Sequence, residues 1–188
     1  MVQPGYTDDE VIKGCLAGKR HFQTMLYQKY ARSLFAVCLR YSNNTNEAED
    51  LLQEAFVKIF TSLKNYRGEG PLGAWLNRIV INTALSRFRK EKQSITVEMD
   101  EIPDIADEDP QDDLFTQLSK DHCQQILRFI QELPTGYRQV FNLYIFEGYN
   151  HKDIAQLLGI TESTSRTQLH KAKLLLKERI LRLMKPHK

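Results

Sequence analysis

Between Asn150 and Lys173 the chain reads Asn-His-Lys-Asp-Ile-Ala-Gln-Leu-Leu-Gly-Ile-Thr-Glu-Ser-Thr-Ser-Arg-Thr-Gln-Leu-His-Lys-Ala-Lys. With the residues after Thr161 helical, Leu169, Ala172, Leu175 and Leu176 anchor one side, and Ser163, Arg166, Thr167, His170, Lys171 and Lys173 point outward. That outer set suits a polyanion with readable edges: arginine grips guanine, while lysines and hydroxyls satisfy phosphates. The competing reading is a solvated basic helix in an ordinary bundle. Catalysis finds no comparable set. Asp8-Asp9-Glu10 and Asp112-Asp113 are acidic runs that solvation explains. His122 and Cys123, adjacent on one helix, cannot turn two ligands to one metal, and His21, His151, His170 and His187 are scattered. No glycine loop suited to cradling phosphate is present, so the chain is read as a non-enzyme with no cofactor and no metal.

The elements that must position the outer set follow from local chemistry. A short helix burying Ile154, Ala155, Leu157 and Leu158 ends at Gly159, a residue free to take the left-handed conformation of a sharp turn. Small Ala155 lets a second helix approach, Ile160 fills the corner and Thr161 caps that helix. This is a helix-turn-helix, whose second helix can lie in a DNA major groove. Upstream, Phe22, Met25, Leu26, Tyr30, Leu34, Val37, Cys38 and Tyr41 repeat at helical spacing. So do Ala48, Leu51, Leu52, Ala55, Phe56, Ile59, Phe60 and Leu63, after a capping box at Asn46 and Glu49. A glycine-rich loop from Tyr66 to Gly73 precedes a third helix, from about Pro71 to Lys90, with Trp75 assigned mainly to packing. Leu114, Leu118, Ile126, Leu127, Ile130 and Leu133 mark a fourth helix, stopped by Pro134, and Val140, Phe141, Tyr144 and Ile145 a fifth. The fold class is all-α, with two small helical domains.

Composition sets the frame. The chain has 188 residues, 41% hydrophobic and 27% charged, and no apolar run long enough to span a bilayer. It is read as soluble and cytoplasmic, without membrane insertion. Its three cysteines, Cys15, Cys38 and Cys123, fit neither a disulfide framework nor a paired-thiolate zinc site. The formal net charge of +2 conceals segregation: residues 1–97 carry +5, residues 98–113 carry -9 and residues 114–188 carry +6. The middle strip, with two prolines and no basic residue, is a flexible acidic linker. The expected domains are therefore 1–97 and 114–188.

Three stretches together resemble the extracytoplasmic-function group of bacterial RNA polymerase sigma factors, of the sigma-70 family: Ala48-Glu-Asp-Leu-Leu-Gln-Glu-Ala-Phe-Val-Lys-Ile-Phe60, Tyr66-Arg-Gly-Glu-Gly-Pro-Leu-Gly-Ala-Trp-Leu-Asn-Arg-Ile-Val-Ile-Asn-Thr-Ala84, and the helix-turn-helix. The resemblance covers about residues 10–182. It implies that the first domain is like sigma region 2 and the second like region 4. It implies docking on the β' coiled coil of core RNA polymerase through Asp50, Gln53 and Glu54, beside Leu51 and Phe56 of the same helix. It implies recognition and melting of a promoter -10 element, duplex and single-stranded, by Tyr66, Arg67, Gly68 and Asn82, with Arg78, Arg87, Arg89 and Lys90 along the phosphates. It further implies -35 recognition by the helix beginning near Glu162, apolar residues around Val140 to Phe146 available to the β flap, and an anti-sigma factor as regulator. One departure stands out. Ser165 occupies a position where helix-turn-helix motifs usually bury a branched aliphatic residue. Read without the resemblance, the residues also fit a stand-alone helix-turn-helix regulator with a sensing or dimerising bundle, or a helical adaptor that never touches DNA.

Overall fold

The computed structural model describes residues 5–94 and 123–184. All regular structure among them is helical: α1 (Asp8–Leu16), α2 (Arg20–Tyr41), α3 (Thr45–Ser62), a 3-10 turn (Leu63–Asn65), α4 (Leu72–Ser94), α5 (Cys123–Gln131), α6 (Thr135–Ile145), α7 (His151–Leu158) and α8 (Glu162–Met184). The chain divides into two compact units after Ala84. The acidic strip 98–113, with Leu114 and Leu118, lies outside the described residues.

In the first unit, α1 is an element that apolar spacing did not announce. Its signal is the run Thr7-Asp-Asp-Glu10, a capping box. The Glu10 amide donates to Thr7 Oγ1 at 3.3 Å, and the Thr7 amide donates to Glu10 Oε2 at 2.8 Å. The acidic run read as solvated charge is thus a helix start, where the peptide dipoles favour anions. The Thr7 amide holds the Glu10 carboxyl below its ordinary value, and the Thr7 hydroxyl adds to this. Asp8 turns inward to α2, accepting from Tyr30 Oη at 2.9 Å and Lys29 Nζ at 2.7 Å.

Helices α2 and α3 bring their apolar stripes together, burying Leu26, Leu34 and Cys38 from one and Leu51, Ala55 and Ile59 from the other. Each fully buried leucine or isoleucine contributes about 1.5–3 kcal/mol. The start of α3 differs from expectation. Its cap is Asn44, whose Oδ1 accepts from the Glu47 amide at 2.9 Å, two residues before the expected Asn46 and Glu49. Both pairs have capping spacing. The earlier one prevails because the Glu47 carboxylate also accepts from the Asn43 amide at 3.0 Å and from both asparagine side chains. Helix α4 then buries Leu72, Leu76, Val80 and Ala84.

In the second unit α8 is the long central helix, packed against α5, α6 and α7. Leu169, Ala172, Leu176 and Ile180 form its buried stripe, meeting Val140, Phe141, Leu143 and Ile154. Arg179 ties α8 to the end of α5, donating to the Phe129 carbonyl at 3.1 Å and pairing with Glu132 at 3.1 Å.

Two outcomes follow for the first unit. A Cβ on Gly14 would meet the Phe22 ring at 2.2 Å, whereas one on Gly73 would sit 3.4 Å from Tyr30. Gly14→Ala should therefore lower stability by about 1–3 kcal/mol in thermal unfolding followed by circular dichroism, and Gly73→Ala should be nearly neutral. Burial, and then the bond to Asp8, raises the Tyr30 hydroxyl above its ordinary value of 10.0. A raised value means that the neutral phenol contributes stability fully present below about pH 10 and lost as pH climbs through the folded value. The stability gap between wild type and Tyr30→Phe should narrow above pH 10 in pH-dependent denaturant titrations.

Candidate nucleic-acid interface

Helix α7 is capped at its start by Asn150, whose Oδ1 accepts from the Asp153 amide at 2.9 Å, and at its end by Gly159 with φ 64° and ψ 45°. That left-handed residue lets the Ile160 amide reach back to the Ala155 carbonyl at 3.1 Å. Thr161 then opens α8, its Oγ1 accepting from the Thr164 amide at 3.0 Å. Three residues thus turn the chain from one helix into the next, as the sequence led us to expect.

The outer face is narrower than expected. Ser163 and Arg166 are exposed, and His170 and Lys171 are half-buried. Arg166 lies 3.8 Å from Glu162 one turn earlier, an exposed pairing of small energetic weight. Thr167 and Lys173, however, are each only 6% exposed and belong to the interior. Lys173 places Nζ 5.9 Å from the centroid of the Tyr144 ring, so its stem is packed and its charge faces an aromatic instead of solvent. Thr167 fails as an outward residue because α8 is covered on more than one side here: it lies about 200° around the helix from Ser165 and Leu169, and all three are buried. Ser165 is buried completely, and its Oγ lies 2.9 Å from His151 Nδ1. A polar contact replaces the aliphatic one. Of the apolar residues between Val140 and Phe146, Val140, Phe141 and Leu143 are core, leaving exposed Phe146 and half-buried Tyr144 and Ile145 accessible.

In the first unit, Asp50 and Gln53 are exposed on α3, and Glu54 is half-buried with an ion pair to Lys58 at 2.7 Å. Leu51, 2% exposed, and Phe56 are core residues that support this face from beneath and present nothing to a partner. Apolar spacing overlooked two features here. Val57, 64% exposed, lies one turn beyond Gln53 on the charged side of α3. Its signal was an apolar residue outside the core stripe. A groove of about 360 Å³ runs between α2 and α3, lined by Tyr27, Ala31, Arg32 and Phe35 on one wall and Glu49, Leu52 and Gln53 on the other.

The loop after the 3-10 turn is shaped by Tyr66, whose Oη donates to the Gly70 carbonyl at 2.5 Å and whose ring lies 5.4 Å from that of Trp75. Gly68 takes φ 72° within it, and Arg67 and Glu69 project outward 3.8 Å apart. Trp75 is half-buried against Tyr66. Arg78 and Asn82 are exposed one turn apart on α4, Arg89 and Lys90 are exposed further along, and Arg87 is half-buried. Arginine, amide and aromatic groups are thus available around one loop and helix. No cluster of three metal-ligating side chains occurs among the described residues.

Comparison with known proteins places these units. The family described as Sigma-70 region 2 matches residues 26–94, and that described as Sigma-70, region 4 matches residues 123–176. The RNA polymerase sigma-H factor of Pseudomonas aeruginosa is 30% identical over 173 residues, 88% of this chain and 90% of that protein. The ECF RNA polymerase sigma-E factor of Haemophilus influenzae is 25% identical across 95% of this chain and 97% of its own. The chain belongs to the extracytoplasmic-function group of the sigma-70 family. As a sigma factor it is a transcription-initiation factor that directs RNA polymerase to promoters, so the stand-alone regulator and the adaptor both fall. The fold agrees with that of the sigma factor RpoE of Bartonella quintana, solved in complex with the anti-sigma factor NepR. That match has a TM-score of 0.51 and 20% identity, and covers 86% of this chain and 98% of the other. No helix among the described residues is long and apolar enough to cross a membrane.

Gly159 offers a direct test of the turn. Nothing lies within 4 Å of a Cβ built there, so Gly159→Ala meets no clash and pays only for its positive φ. It should destabilise the second unit by about 1 kcal/mol in thermal melts and weaken binding to promoter DNA as holoenzyme.

Proposed function

We propose that this sigma factor divides promoter recognition between its two units. The N-terminal domain, taken as about residues 1–97 and so running along α4 past the unit boundary after Ala84, docks on core RNA polymerase through the α3 face of Asp50, Gln53 and Glu54 and engages the -10 element. Tyr66, Arg67 and Gly68 frame an unstacked base, Asn82 reads beside it, and Arg78, Arg87, Arg89 and Lys90 follow the phosphates. The second, about residues 114–188, reads the -35 element with Ser163, Arg166, His170 and Lys171 of α8, and Phe146 faces the β flap. The observation that carries this reading is the left-handed turn at Gly159, which launches α8 with Ser163 and Arg166 exposed on it.

The mechanism is cooperative. Each unit alone offers a small contact to DNA, but mounting both on polymerase makes the second contact effectively intramolecular. Residues 98–113, with charge -9, serve as the tether between them. The protein performs no catalysis of its own and works in the cytoplasm with the polymerase. The Bartonella relative was solved with an anti-sigma factor, and we extend a partner of that kind to this chain, covering the polymerase- and DNA-binding faces.

Reconstituted holoenzyme should bind promoter DNA with a steep salt dependence, while free protein binds feebly in gel shifts. Arg166→Ala and Lys171→Ala should each lower -35-dependent run-off transcription by about tenfold. Asn82→Ala should impair promoter opening, read by permanganate reactivity, more than closed-complex formation. If all three variants transcribe like wild type, the residue assignments fail.

A further inference from the structure

Ser165 carries a hydroxyl at a fully buried position on the side of α8 that meets α7. A hydroxyl out of water needs a partner. His151, the first residue of α7, supplies it across 2.9 Å. Either tautomer keeps the bond: an unprotonated Nδ1 accepts from the hydroxyl, and a protonated one donates to a hydroxyl lone pair. The imidazole is itself braced, because the Tyr144 ring of α6 stacks on it with centroids 4.8 Å apart and planes 24° from parallel. Lys173 then approaches the same Tyr144 ring from further along α8. Helix α8 is thus fastened to one aromatic pair at two points about 12 Å apart along its axis. Two fastenings on one rod fix its tilt and also its roll.

Roll decides what the outer side chains reach. Arg166 follows Ser165 directly, roughly 100° around the helix, so a rotation at Ser165 swings the guanidinium by the same angle. An aliphatic residue at this position would hold α8 by contacts indifferent to direction, whereas a hydrogen bond weakens steeply off line. We propose that His151 and Ser165 are positioning residues for promoter recognition: their hydrogen bond, braced by Tyr144, sets the roll of α8 and so the base edges that Arg166 meets. This rests on the reading of α8 as the -35 helix.

The test is run-off transcription by holoenzyme assembled from core polymerase and the full chain, on a template pool randomised over the -35 and -10 hexamers, with transcribed templates sequenced. His151→Leu and Ser165→Ala should each reduce enrichment at the -35 positions by about tenfold while leaving -10 enrichment unchanged. The double variant should be no worse than either single, because both break one bond. His151→Asn, whose side-chain amide sits where Nδ1 does, should recover most of the loss that His151→Leu, of similar bulk, does not. Circular dichroism melts and co-elution with core polymerase establish that each variant is folded; if His151→Leu is not, Ser165→Ala and His151→Asn carry the comparison. Wild-type -35 enrichment in the single variants, losses that multiply in the double, or Asn behaving as Leu would overturn the proposal. Arg166→Ala separates the two levels. If it loses the -35 motif while the His151 and Ser165 variants keep theirs, positioning alone is wrong; if it keeps the motif, the assignment of α8 falls and the proposal with it.

Discussion

The second unit depends on a chain reversal completed in three residues. Gly159, Ile160 and Thr161 must end α7, turn and cap α8, and only a residue at ease with φ 64° makes the first step without strain. Because so few residues separate the helices, α8 has little freedom in where it leaves α7. Packing then has to settle only its angle. Leu169, Ala172 and Leu176 give a broad apolar seat, while Ser165 and Lys173 add polar contacts with narrower geometry. The apolar seat supplies most of the stabilisation, and the polar contacts supply direction.

The same division of labour recurs in the first unit. Leu51 and Phe56 lie beneath α3 as core, and Asp50, Gln53 and Val57 are presented above them. Exposed ion pairs such as Lys58 with Glu54 add little stability, so the charged face is free to be shaped by what it meets instead of by folding. Tyr66 joins both roles: its ring packs near Trp75 while its hydroxyl closes the loop onto the Gly70 carbonyl.

Much of this was legible in the sequence where one rule acted alone. The stripes of α2 and α3, the Gly159 turn and the Thr161 cap rest on spacing and backbone preference, and each appears in the structure. Sequence reasoning faltered where two readings shared one signal. Asn44 with Glu47 and Asn46 with Glu49 have identical spacing, and only the extra bonds from Asn43 decide between them. Asp8, Asp9 and Glu10 look like solvated charge until Thr7 is counted as a cap. Lys173 looked outward because lysine usually does, yet Tyr144 offers its charge a face inside the unit. His151 and Ser165 lie fourteen residues apart on different helices, so their contact could be found only once those helices were placed.

The Glu47 carboxylate ties the link after α2 to the start of α3, accepting from the Asn43 amide and from both the Asn43 and Asn44 side chains. These bonds brace the elbow joining the two helices that line the groove of Tyr27, Arg32, Phe35 and Leu52. A cleft held ready in this way spends little conformational entropy on capture.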